Sequence, residues 1–126
     1  MCGNVAYRGL KLTIEYAIRS DGSTPGLEFF SQLQPQWQAR IHHLYRILGD
    51  IGRIANDEQF KKFEPPFFEF KAFQVRMPCY FRNDKRVVVT HGFIKKRKGA
   101  APKQEAERAK SIKNEYEAAL GRMPRR

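Results

Sequence analysis

The chain has 126 residues, 41% of them hydrophobic and 13% aromatic, with ten Phe and a formal net charge of +11. This composition excludes a disordered tail and fits one packed domain over 1–126, with flexible ends expected at 1–9 and 121–126. Residues 1–59 hold six Lys/Arg and six Asp/Glu, so the whole excess, 18 basic against seven acidic residues, lies in 60–126.

Such one-sided charge calls for a polyanion, an acidic protein or an anionic membrane to meet the second half of the chain. There is no apolar run of membrane-spanning length and no basic-then-apolar signal pattern at the start, so a cytoplasmic protein is expected, without a membrane partner. Cys2 and Cys79 are too few and too poorly placed for a disulfide framework or a zinc site. Both are expected to be reduced, with Cys79 a small core residue.

In chain order, Leu10 to Tyr16 alternates apolar and polar residues as a half-buried strand does. The turn-forming cluster Ser20–Gly26 is a loop, and Leu27 to Leu33 gives two helical turns before Pro35. From Pro35 the apolar residues Trp37, Ile41, Leu44, Leu48, Ile51 and Ala55 fall at helical spacing, predicting a long helix that ends near Ile54, where Gly49 and Gly52 weaken it. His42 and His43 are adjacent on that helix and point about 100 degrees apart, so they cannot hold one metal ion from its face. No metal or cofactor is expected.

Beyond Pro65 and Pro66 a meander begins. Phe68 and Phe70 share one side of a strand with Glu69 and Lys71 on the other, a second strand runs from Val75 to Arg82, and after a turn at Asn83–Lys85 a third returns from Arg86 to Phe93. Pro78 within the second strand predicts an edge position or a bulge. Past the basic block Lys95–Lys98, a helix from Lys103 to Leu120 carries the narrow apolar stripe Ala109, Ile112, Tyr116 and Leu120. The expected fold is α+β: a small antiparallel β-sheet with a helical pair packed on one face, a C-terminal helix, and the basic cluster presented on the other face.

If the meander forms, Lys71, Arg76, Lys95, Lys96 and Lys98 converge on one sheet, and His91 sits at the end of its last strand. These residue types suit phosphoryl transfer on RNA: attack of a ribose 2'-oxygen builds negative charge on the phosphorane and the leaving 5'-oxygen, which Lys and Arg stabilise. A lysine of ordinary pKa, about 10.4, serves as acid or clamp, whereas His91, with a reference value of about 6.5, is a candidate base. A lysine depressed by its basic neighbours is the other candidate. A plain RNA binder would need only the patch and an aromatic stacking platform, for which Phe73 is the candidate.

The order of elements, with Phe68-Glu69-Phe70-Lys71, Tyr80-Phe81, the valine strand, His91-Gly92-Phe93-Ile94-Lys95-Lys96 and a Pro102-led helix with Glu105, resembles the phage-derived branch of the RelE/HigB-like toxins of bacterial type II toxin-antitoxin systems. The resemblance spans roughly residues 10 to 120. It implies a ribosome-dependent endoribonuclease that cleaves mRNA and is blocked by a cognate antitoxin, of helix-turn-helix type. It also implies catalytic roles for Lys71, Arg76, Lys95 and Lys96; with His91 as the candidate base these are the expected catalytic residues, and contacts to the RNA are expected from Arg82, Arg97, Lys98 and Lys103. Lys71 stands where the family more often has arginine, and a lysine lacks the two-pronged phosphate contact of a guanidinium. Because gyrase-poisoning ParE-like toxins share the fold, a gyrase inhibitor and a non-enzymatic RNA-binding protein are the alternatives.

Overall fold

A computed structural model describes residues 3–96 and 103–121. Its strands are β1 (Val5–Arg8), β2 (Thr13–Tyr16), β3 (Phe60–Lys62), β4 (Phe68–Ala72), β5 (Val75–Arg82), β6 (Arg86–Val89) and β7 (Phe93–Ile94). The helices are α1 (Pro25–Ser31), α2 (Pro35–Ile51) and α3 (Lys103–Gly121). The strands form one sheet in the order β1-β2-β6-β5-β4-β3, with β7 also on β5. Pairing is antiparallel except between β2 and β6, which run parallel. The α+β architecture is the expected one, with that single parallel pair added.

Alternation along the strands sends side chains to two faces. On one face Ile14, Phe70, Val75, Met77, Cys79, Val87 and Val89 pack against Ile41, Leu44, Tyr45 and Leu48 of α2. On the other, Tyr80 and Val88 pack with Phe67 against Ala109, Ile112 and Tyr116 of α3. The basic cluster therefore does not have the second face to itself. Among the described residues α3 covers most of it, and the cations hold the end that this helix leaves open.

The apolar stripe of α3 is narrow, and polar contacts reinforce it. Tyr116 donates to the buried Glu15 carboxylate at 2.5 Å, and Arg86 reaches the other oxygen of that carboxylate at 2.6 Å. Tyr80 and Arg82 both donate to Glu117, and Arg19 pairs with Glu115 at 2.6 Å. A helix whose own face is thin is thus held by polar groups of β2, β5 and the loop that follows β2.

Several expectations need correction. Residues 3–9, part of the end expected to be flexible, contain a strand: Val5–Arg8 form β1, the edge strand beside β2, and the Asn4 amide donates to Tyr16 O and Tyr116 Oη. The predicted strand from Leu10 starts only at Thr13, and Leu10 is 89% exposed. α2 stops at Ile51, capped by Gly52 at φ 93°, a left-handed conformation that glycine adopts without steric cost. Ile51 and Ala55 consequently lie outside the buried stripe, and Tyr45 is inside it.

Pro78 is neither on an edge strand nor at a bulge. β5 is central, and its register with β4 continues through Glu69↔Pro78. In a strand the N and C=O of one residue point to the same side, and the Pro78 carbonyl accepts the Thr90 N–H at 2.9 Å. Its missing donor therefore falls in the gap where β6 has ended at Val89 and β7 has not yet begun at Phe93. The interruption lies in the neighbouring strand, which was expected to run unbroken to Phe93.

Candidate functional site

The uncovered end of the second face is built by β3, β4, β5 and β7. Lys71 and Arg76 are directly opposite each other across β4 and β5, and Arg76 faces Phe93 on its other side. Lys61 is opposite Glu69. The Lys95 N–H bonds Gln74 O at 2.8 Å, so the chain leaves β7 alongside the β4–β5 turn and Lys95 points to the side of Phe93 and Arg76. Three expected site residues, Lys71, Arg76 and Lys95, are thereby brought together.

At the centre is a residue that the sequence reading passed over. Glu69 is only 4% exposed, and Arg76, Lys95, Lys71 and Lys61 all act on its charge. Burial pushes its carboxyl above the ordinary range, against the pull of those cations. On a strand buried on both faces, the polar member of an alternating pattern is not a solvent residue. The signal lay in Phe67 and the α3 stripe, which announce a second covered face.

The β4–β5 turn adds an aromatic element. Phe73 has φ 58°, an uncommon conformation for a bulky side chain, and the Arg76 guanidinium donates to Phe73 O at 2.9 Å. The Phe73 ring is 57% exposed and stacks on Trp37 with centroids 5.3 Å apart and planes 14° from parallel.

The remaining site residues are placed differently. His91 was expected to reach a cleft and is instead wholly buried. Its Nδ1 lies 3.1 Å from Thr90 Oγ1, its Nε2 lies 3.0 Å from Glu105 Oε1, and its ring stacks on Phe93. Burial lowers it to about 4, opposed by the Glu105 contact and assisted by the charge of Arg108. Neither ring nitrogen is open to a substrate.

Arg82 is at the far end of β5 from Arg76, roughly 20 Å away at strand rise, and its guanidinium is taken up by Glu117 and Asp84. It braces α3 rather than joining the cluster. Lys96 and Lys103 are exposed, at the end of the β7 segment and the start of α3. Arg97 and Lys98 lie outside the described residues.

The glycine of the His-Gly-Phe motif has a packing reason. A Cβ on Gly92 would collide with the Phe29 ring of α1 and with Met77 Sδ.

A family model described as phage derived protein Gp49-like (DUF891) matches residues 28–114, well over half of the chain. The chain belongs to the Gp49-like family. This is a RelE/toxin-like family of toxin-antitoxin systems, and the sheet flanked by helices agrees with a RelE-like fold. The Gp49-like region begins within α1 and runs into α3, so it contains Glu69, Lys71, Phe73, Arg76, His91 and Lys95 and leaves out β1 and β2. No curated protein matches the chain. Among the described residues, no helix of this Gp49-like chain is long and apolar enough to cross a membrane.

Proposed function

We propose that the protein is the toxin of a type II toxin-antitoxin system, of the RelE/HigB kind, and that it cleaves mRNA on the ribosome. The observation that carries this reading is the convergence of Lys71, Arg76 and Lys95 at the one end of the sheet that α3 leaves open. These cations suit a phosphate whose charge grows during attack by the neighbouring 2'-hydroxyl. Preorganised donors aimed at such charge are the largest single source of catalysis in most enzymes. In this reading Lys96 and Lys103 extend the basic surface along the RNA backbone, and a cognate antitoxin silences it.

A second reading, RNA binding without cleavage, is favoured by the stacked Phe73–Trp37 pair at the β4–β5 turn, because stacking serves binding with or without chemistry. Induced expression in a bacterium separates the possibilities. Cleavage predicts new 5' ends inside translated messages by primer extension, with DNA intact. Whole messages together with DNA breaks would replace it with gyrase poisoning, and whole messages with undamaged DNA and RNA-bound protein would leave the binder.

A further inference from the structure

Two buried polar side-chain atoms among the described residues lack a hydrogen-bond partner, Glu69 Oε1 and Arg76 Nε. They are neighbours. Glu69 is opposite Pro78 and Arg76 is two residues before it, a diagonal cross-strand relation within reach of long side chains. Leaving a buried donor or acceptor unsatisfied costs about 1 to 3 kcal/mol, and more when the group is charged. An orphan acceptor and an orphan donor on two diagonally related side chains of one face describe what a ligand must bring: a hydrogen-bond donor for Glu69 and an anionic acceptor for Arg76.

A ribose 2'-hydroxyl with its adjacent phosphate brings both, whereas a deoxyribose brings only the phosphate. We propose that Glu69 is the general base of the site, taking the proton of the 2'-hydroxyl while the guanidinium of the half-buried Arg76 donates to a non-bridging oxygen of the scissile phosphate. The proposal rests on the RNA-cleaving reading above. O2' then bonds to phosphorus, the P–O5' bond breaks, and O5' takes a proton from the ammonium of Lys71 or Lys95. The products are a 2',3'-cyclic phosphate and a 5'-hydroxyl. Glu69 is left protonated and the lysine neutral, and exchange with water restores both.

The surroundings suit this role. The charged groups facing Glu69 are Lys61 on β3, Lys71 on β4, Arg76 on β5 and Lys95 after β7, and the Cys79 thiol is the other titratable group that feels its charge. Burial holds the carboxyl above its ordinary range, which strengthens it as a base near neutral pH. Lys61 is exposed, and Lys71 and Lys95 are half-buried. The ammonium groups that screen the carboxylate are thus the ones a phosphate would draw aside.

The test is single-turnover cleavage of ribosome-bound mRNA by the wild type, Glu69→Gln and Glu69→Asp over a range of pH. Glu69→Gln should lose about a hundredfold or more in rate, as removal of a general base does, with ribosome binding kept and the acidic limb of the pH-rate profile abolished. Glu69→Asp should retain that limb at a reduced rate. A single 2'-deoxynucleotide at the cut position should weaken binding to the wild type and leave the Gln variant's binding unchanged. A Gln variant that cleaves within a few-fold of wild type, with the same pH limb, overturns the role of Glu69 while leaving RNA cleavage intact. A wild type that cuts no ribosome-bound message overturns the enzyme reading itself. Should the Gln variant fail to fold, an Asp variant with wild-type rate and an unshifted pH limb overturns the proposal, and a slowed rate with the limb shifted supports it.

Discussion

His91 Nε2 lies 3.0 Å from Glu105 Oε1, joining the end of the sheet to the first turn of α3. The contact bridges two parts of the chain that enclose the basic segment, and it belongs to a wholly buried imidazole. His91→Ala should therefore destabilise the fold by about 2 to 4 kcal/mol, through the cavity left and the partner lost. Melting temperature should fall before any specific loss of cleavage. A fully stable variant with no activity would return His91 to the chemistry.

Acid should weaken the fold in two windows. The unfolded His91 takes up a proton near 6.5, whereas burial delays the folded one to about 4, so the unfolded state binds more protons between those values. Stability from this group is complete above 6.5 and falls as pH drops toward 4. The Arg19 hydrogen bond holds Glu115 at about 2 against an ordinary 4.5, so its contribution is present above 4.5 and is lost as pH falls toward 2. Glu69, raised by burial, works in the opposite direction. Thermal melts of the wild type and His91→Gln should diverge in slope between about pH 6.5 and 4, and parallel curves would refute the assignment.

Lys71 and Lys95 carry the clearest chemical prediction. Each Ala variant should lose on the order of a hundredfold in cleavage, the usual consequence of removing one donor to transition-state charge. Lys71 Nζ makes only an exposed 3.3 Å contact to Asp57 O and both lysines are half-buried rather than in the core, so melting temperatures should stay within about 2 °C, as for most changes away from the core. Arg76 is a different case because it also pins the Phe73 turn. Loss of folding in the lysine variants would show that they brace the sheet instead.

Trp37 is the chain's single tryptophan and is stacked on Phe73. A base stacking on that platform should quench its fluorescence as RNA is added, and Phe73→Leu, which keeps apolar bulk and removes the ring, should weaken binding by about 1 to 3 kcal/mol per stacked base. RNA that binds by anisotropy without changing Trp37 emission would place the strand elsewhere.

The sequence determined the elements whose signals are local. The stripe Ile41, Leu44 and Leu48 marks α2, the alternation around Phe70 marks β4, Asn83–Lys85 marks a turn, and Ala109, Ile112 and Tyr116 mark α3. It also located the charge, since counting needs no geometry. β1 escaped notice because a four-residue edge strand is made by its partner β2 rather than by its own pattern. Pro78 was misjudged because whether a missing N–H costs anything depends on what runs beside it, and β6 ends there. His91 and Glu69 exchanged their expected places for the same reason. A histidine after three valines and a glutamate between two phenylalanines read as reaching out and facing water, until α3 closes over one and four cations surround the other. Burial of a polar side chain is decided by segments far away in sequence, and only the tertiary structure brings them together.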